Sequence, residues 1–265
     1  MKVSYREQLI YPNMPTEYKN VPAIEKCFQV LDLFASSKKP LSISEISRSL
    51  NYNKSTVFNI VYTLNGLAIV ENGSENKFRL GRQLYVLGKA AGKESELIHK
   101  VRPYLEKIAE KTKLTVFLGI LSKNSVVIVD KVDSPYGVRV SSEIGLSIPL
   151  LAGATGKVFL SQMLDSEVDR ILSSEKIKKY TPFSCTNVKK FKEIIKEVRE
   201  NGVAIDREEY IEGIRAMSVP LKIGKGRLLV SMWVVGLSSQ LKDDILPEFS
   251  LFLKSAAKEI NAHFL

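Results

Sequence analysis

Two cysteines, two histidines and one tryptophan in 265 residues leave little for a metal centre, a disulfide framework or histidine-based catalysis. A structural zinc site needs four Cys/His ligands at close spacings, and Cys27 and Cys185 lie far apart. Such a pair suits a reducing cytoplasm, and Cys27 falls in an apolar helical stripe that reads as core. His99 and His263 each sit on an amphipathic helix pattern among charged neighbours, a poor setting for a triad. Long hydrophobic runs are also missing. Leu228–Leu237 is the longest, ten residues with Ser231 inside it, where a spanning helix needs roughly 20. Residues 1–20 mix charge, proline and tyrosine without an apolar segment, so no signal peptide is expected and the localisation read from the chain is cytoplasmic. They lack periodicity and are expected to form a flexible arm or a tail packed on a neighbour.

What is present describes a globular protein: 45% hydrophobic and 26% charged residues exclude a disordered or fibrous chain. The length favours two domains. The net charge is +10 and is unevenly placed. Residues 1–93 hold 13 Lys/Arg against 7 Asp/Glu, and residues 94–265 hold 26 against 22. Positive charge concentrated in a small N-terminal unit is the footprint of a nucleic-acid binder.

The pattern from Val21 onward supports that footprint. Ile24, Cys27, Phe28, Leu31 and Phe34 recur at helical spacing, and Ser36–Pro40 ends the helix. Ser42 followed by Glu45 predicts a capping box, with Leu41 and Ile46 as its hydrophobic staple. Asn53 is placed to cap a third helix whose stripe is Val57, Ile60, Val61 and Leu64, stopped at Asn65-Gly66. Strands at Leu67–Val70 and Lys77–Leu80 around a turn complete a winged helix-turn-helix over 21–81. In that motif the second helix enters the major groove. Lys54, Ser55, Phe58, Asn59 and Tyr62 would then face DNA, with Asn59 able to pair bidentately with adenine. Ser42 and Ser44 at the supporting helix are expected at phosphates, and Lys77 and Arg79 on the wing at phosphate or in the minor groove. Phe58 or Tyr62 could instead pack inside the domain.

A linker helix is expected over 82–94, and residues 95–265 form a second domain. Helices are predicted at Ser95–Lys111, Gly156–Gln162, around Phe191–Val198, and at Phe249–Phe264. Strands are predicted at Thr115–Leu121, Ser125–Lys131, Val138–Ser142, Ala216–Leu221 and Arg227–Val235. Strands and helices mixed without βαβ alternation suggest an α+β domain.

The stretches Leu41-Ser42-Ile43-Ser44-Glu45-Ile46, Lys54-Ser55-Thr56-Val57 and Phe78-Arg79-Leu80-Gly81 resemble the winged helix of IclR-type transcriptional regulators. Gly145–Leu150 running into Gly153-Ala154-Thr155-Gly156-Lys157 resembles that family's effector-domain loop. Gly202-Val203-Ala204, Asp206–Glu209, Gly213-Ile214-Arg215 and Pro220 are similar to a later family signature. The resemblance spans about residues 21–260. It implies a GAF-like α+β effector domain, a homodimer or dimer of dimers, and an inverted-repeat operator on double-stranded DNA. It places Ala154, Thr155 and Asp206 at positions that bind small carboxylate effectors in some relatives. Leu151 stands where the family commonly has histidine, Ala216 where cysteine is frequent, and Trp233 and Val235 where serines are common. These departures strip polar partners from the site and point to a more apolar or aromatic effector, with Trp233 as a stacking surface or as core that fills the pocket.

Other readings fare worse. Gly153–Lys157 fails as a phosphate-binding P-loop because Leu151 and Val158 stand where glycine and Ser/Thr are required. Asp206, Glu208 and Glu209, with Arg207 nearby, read as a solvated or ion-paired cluster in a helical context, so neither catalysis nor a cofactor is expected. The Lys-rich stretch 176–196 reads as a solvated face with a secondary DNA contact as the lesser alternative. An architectural protein that coats DNA without effector control is the alternative to a regulator, which is expected to repress.

Overall fold

A computed structural model describes residues 19–264 apart from 38, 94 and 224–227. Most of the expected arm at 1–20, Glu94 of the linker helix and Arg227 of a predicted strand therefore lie outside the described residues. The chain divides into two units between Ser95 and Glu96.

In the first unit Pro22 opens α1 (Pro22–Ser36), where its missing N–H is no loss. The stripe expected on this helix is corrected. Val30 and Phe34 turn inward, Cys27 and Leu31 sit half-buried at the margin, and Ile24 and Phe28 remain exposed. The two-residue strand β1 (Leu41–Ser42) leads into α2 (Ile43–Leu50). The capping box forms as expected: Ser42 Oγ accepts from Glu45 N at 3.3 Å, and Ser42 N donates to the Glu45 carboxylate at 2.7 Å. The helix α3 (Lys54–Gly66) buries Val57, Val61 and Leu64. Asn53 precedes it without a side-chain cap, contrary to expectation. β2 (Val70–Asn72) and β3 (Lys77–Leu80) form the wing, and the sheet order is β1-β3-β2. The strand expected at Leu67–Val70 begins only at Val70. Ala68 adopts φ 55° and Ile69 N still donates to Leu64 O, so the chain is unwinding from α3 over those residues. The unit ends with α4 (Arg82–Lys93).

The second unit is a six-stranded antiparallel sheet with helices on both faces. Its elements are α5 (Glu96–Thr112), β4 (Thr115–Ser122), β5 (Ser125–Val132), β6 (Ser147–Pro149), α6 (Gly153–Ser161), α7 (Asp165–Ser174), α8 (Val188–Asn201), β7 (Ala204–Arg207), β8 (Ile214–Ile223), β9 (Leu228–Leu237) and α9 (Leu246–Ala262). Strand order is β6-β5-β4-β9-β8-β7. Alternation along the central strands divides the core into two layers. Val116, Leu118, Met232 and Val234 pack with α5 and α9, while Phe117, Trp233 and Val235 pack with Phe159, Ile171 and Phe191 of α6, α7 and α8. Each such side chain, fully buried, contributes about 1.5–3 kcal/mol.

Three expectations fail in this unit. Val138–Ser142 is irregular, and Ser147–Pro149 pairs with β5 in its place. α6 begins three residues before Gly156. Asp206 lies on β7 and Glu208 and Glu209 in the turn that follows, so their context is not helical.

Candidate functional site

Two sites emerge, one in each unit. On α3 the inward stripe leaves Lys54, Ser55, Phe58, Asn59 and Tyr62 exposed. Phe58 and Tyr62 are neither swung free nor internal. Their ring centroids are 4.3 Å apart, and Tyr62 meets the buried Phe78 edge-on at 5.7 Å. The pair forms a rigid apolar ridge along the helix, with the Asn59 amide beside it. Ser44 is exposed on α2. Ser42 caps α2, and its hydroxyl hydrogen goes to Glu45 at 2.7 Å in a solvent-exposed bond. On the wing Lys77 pairs with Glu75 at 3.1 Å and Arg79 with Glu71 at 3.7 Å. Both pairs are exposed and therefore weak, so either cation can exchange its partner for a phosphate at little cost.

In the second unit a cavity of about 150 Å³ opens on the α6 side of the sheet. Its floor is Phe117, Ile128, Ala216, Trp233 and Val235 from four adjacent strands. Val140, Leu146 and Ile148 form one wall and Ile211 and Ile214 another. Val140 and Ser142 alternate toward this cavity, which explains a strand-like sequence pattern without strand pairing. Polar groups gather at one end, where Thr155 and the start of α6 meet Asp206 and Tyr210. Of the seven expected effector residues, Ala154, Thr155, Asp206, Ala216, Trp233 and Val235 line this one cavity. Leu151 does not. It is buried with Phe191 and Ile177 around a separate small void.

Trp233 and Asp206 set the character of the cavity. Trp233 pairs across the strands with Phe117, the rings stacking at 5.4 Å and 25°, and its indole covers Gly119. A Cβ at Gly119 would lie 2.7 Å from the indole, so glycine is what lets the ring lie down. Asp206 is 5% exposed, and Glu209 N donates to its Oδ1 at 2.6 Å. Burial pushes its carboxyl up to about 6; the nearby Glu209 charge adds to this, while Lys157 and backbone N–H donors oppose it. Its Oδ2 would meet a Cβ at Gly153 at 2.9 Å, and Gly153 has φ +63°. Glycine there satisfies both the turn and the carboxylate's close approach to the α6 N-terminus.

Sequence reasoning missed how the cavity's rim is held. Lys157, 2% exposed, donates to Ile205 O at 3.2 Å and pairs with Glu209. Thr181 Oγ1 donates to Glu208 O and Ser184 Oγ to Glu209 O, each at 2.7 Å. Glu208 accepts from Gly213 N and faces Arg215, which also reaches Asp243. The three carboxylates therefore divide between two roles: Asp206 enters the cavity and the two glutamates brace the turn. The spacing of Lys157 and Glu209 on separate elements gave no signal. Phe117 and Tyr210 were likewise missed, although Phe117 alternates on a clear strand pattern.

The comparisons agree with this architecture. Residues 23–72 match the IclR helix-turn-helix domain and residues 89–262 the bacterial transcriptional regulator IclR C-terminal domain. The HTH-type transcriptional regulator KdgR of Escherichia coli K12 is 30% identical over 244 residues, 92% of each chain. The structure of an IclR transcriptional regulator from Alicyclobacillus acidocaldarius superposes with a TM-score of 0.78 at 25% identity, over 92% of this chain and 99% of that one. An IclR homologue from Microbacterium hydrocarbonoxydans, solved with 4-hydroxybenzoate, gives 0.71 at 19% identity, over 91% and 98%, which carries the fold alone. These relatives are transcriptional regulators rather than enzymes, and among the described residues no helix is long and apolar enough to cross a membrane. With both of its domains matched in order, the chain belongs to the IclR family of DNA-binding bacterial transcriptional regulators, an N-terminal helix-turn-helix followed by an effector-binding domain.

Proposed function

We propose that the chain is a repressor that occupies an inverted-repeat operator as a homodimer or dimer of dimers and changes its grip when a small apolar or aromatic effector fills the cavity against Trp233. The observation that carries this reading is the cavity's composition: aromatic and aliphatic walls, with polar groups confined to the end formed by Thr155, Asp206 and the α6 N-terminus. A cavity of the order of 150 Å³ accepts a benzene-sized ring. The polar end suits a hydroxyl or acid group, since the first N–H groups of a helix have no partner within it. Among the described residues no lysine or arginine lines the cavity, so binding would draw chiefly on the apolar walls, which a compact oxoacid leaves unfilled. The 4-hydroxybenzoate bound by the Microbacterium hydrocarbonoxydans homologue has the chemistry this space favours.

Self-association is supported by apolar side chains left in solvent on the first unit, Ile24 and Phe28 on α1 and Tyr85, Val86 and Leu87 on α4. A two-fold dimer presents two copies of α3 to half-sites one helical turn apart, or a multiple of it. Control is then a population shift, limited by the effector's differential affinity for the two arrangements.

The test has two arms. Selection from a random duplex library should enrich an inverted repeat; a library that stays random sinks the operator reading. Trp233 is the sole tryptophan, so its fluorescence reports on the cavity alone. Titration with 4-hydroxybenzoate, benzoate and pyruvate should move the signal for the aromatic acids and leave it still for pyruvate. Silence from all three removes the aromatic effector, and a response to pyruvate alone reverses the preference.

A further inference from the structure

Residues 176–196 carry seven lysines and a single acid, Glu193, so this short run supplies much of the +10 net charge. One end of the run is compensated. Lys192 on α8 pairs with Asp169 of α7, and Lys196 shares a groove with Asp165 and Asp169. The other end is not. Lys176, Lys178 and Lys179 stand on the extended stretch after α7, and Lys189 and Lys190 on the first turn of α8. All five are exposed, and among the described residues none of them forms an ion pair.

The two groups are held beside each other. Lys178, Ile177, Cys185 and Phe191 border the same void of about 10 Å³, which brings the stretch after α7 against the start of α8. The turn between them is fixed, since Tyr180 N and Thr181 N donate to Ser184 Oγ at 3.0 and 2.9 Å. At α8 the first turn has no acid, so Lys189 and Lys190 add to the positive end of the helix dipole. A folding requirement alone disfavours that placement, because acids are what stabilise a helix N-terminus.

We infer that this surface of the effector domain is a second phosphate-backbone contact, which grips duplex DNA independently of the winged helix. Five exposed lysines without an acidic partner among the described residues, Lys178 lying over the Tyr180 ring at 5.2 Å, suit sequence-independent phosphate contact, with no bidentate arginine to read a base. Both surfaces belong to one chain, so a duplex held by either one meets the other at a raised effective concentration. The inference goes beyond the operator reading above, which uses only α2, α3 and the wing.

The full-length protein tests it on a random-sequence duplex of about 40 base pairs, with affinity followed from about 50 to 200 mM salt. Replacing the three loop lysines together (K176Q/K178Q/K179Q) touches no helix. It should flatten the log affinity against log salt slope by about 2.7, at about 0.9 for each of three lost phosphate contacts. Adding K189Q and K190Q should flatten it further, with the circular-dichroism melting curve of each variant checked against the parent. Lys54→Gln on α3 serves as the comparison and should flatten the slope by about 1. If Lys54→Gln flattens the slope and neither lysine-loop variant does, the second contact is refuted while the winged-helix reading stands. If the lysine-loop variants act and Lys54→Gln does not, the inference holds and the winged-helix contact is misassigned. A parent protein that fails to bind at the lowest salt overturns both.

Discussion

Trp233 lies stacked on Phe117, its direct partner across β4 and β9, with its indole over Gly119 two residues along the strand. This arrangement makes the cavity floor an aromatic surface and makes its position depend on a missing side chain. Gly119→Ala is expected to lift the indole and destabilise the domain by about 1–3 kcal/mol, the usual range for overpacking. In a Trp233→Leu background the same substitution should cost much less, because the obstructing ring is gone. A double-mutant cycle from urea denaturation checks this, and additive costs would dissociate the glycine from the tryptophan.

Asp206 gives the domain a pH dependence of unusual sign for a carboxylate. Its folded value of about 6 exceeds the ordinary 3.8, so between those values the native state holds a proton that the unfolded chain has released. Stability contributed by this group is therefore present at low pH and lost as pH rises from about 4 through 6, by on the order of 3 kcal/mol in all. Asp206→Asn should remove that slope. Denaturation midpoints across this window, compared between the two proteins, decide it.

Lys157 and Glu209 form a pair in which the lysine is almost fully enclosed. Lys157→Met alone leaves the glutamate without its counter-charge and should cost about 3–5 kcal/mol. The double variant Lys157→Met, Glu209→Leu should recover most of that loss. Failure to recover would indicate that the Lys157 bond to Ile205 O matters more than the pair.

Asn59 is expected to read a base and Arg79 to hold a phosphate. Asn59→Ala should cost about 1–3 kcal/mol on a selected site and little on random duplex. Arg79→Ala should weaken both alike and flatten the salt dependence. Equal losses on every sequence would move Asn59 to a positioning role.

Local signals were the legible part of this fold. The Ser42–Glu45 capping box and the α3 stripe are written in adjacent residues, and both stand in the structure. Errors arose where a second element decides the outcome. Val138–Ser142 alternates because Val140 and Ser142 look into a cavity, and alternation alone does not supply a neighbouring strand. The charges around β7 suggest a helix in the sequence, yet Arg207 and Glu209 pair with Asp243 and Lys157 on distant segments, which the local pattern does not show. α7 does carry a local signal, with Val168, Ile171 and Leu172 at helical spacing and Glu167 accepting from Leu164 N at 3.1 Å. Of the cavity, six lining residues came from a family likeness, whereas Phe117, Tyr210 and the bracing pair needed the three-dimensional arrangement.

The two hydroxyls of Thr181 and Ser184 hold the backbone of Glu208 and Glu209, the turn that continues directly from Asp206. Whatever shifts that turn when the cavity fills must either give up these bonds or drag the 181–184 corner with it. The corner and the cavity rim are thus two handles on one lever. By reciprocity, a macromolecule that clasps the lysines on either side of the corner alters the effector's affinity by the same factor as the effector alters its hold.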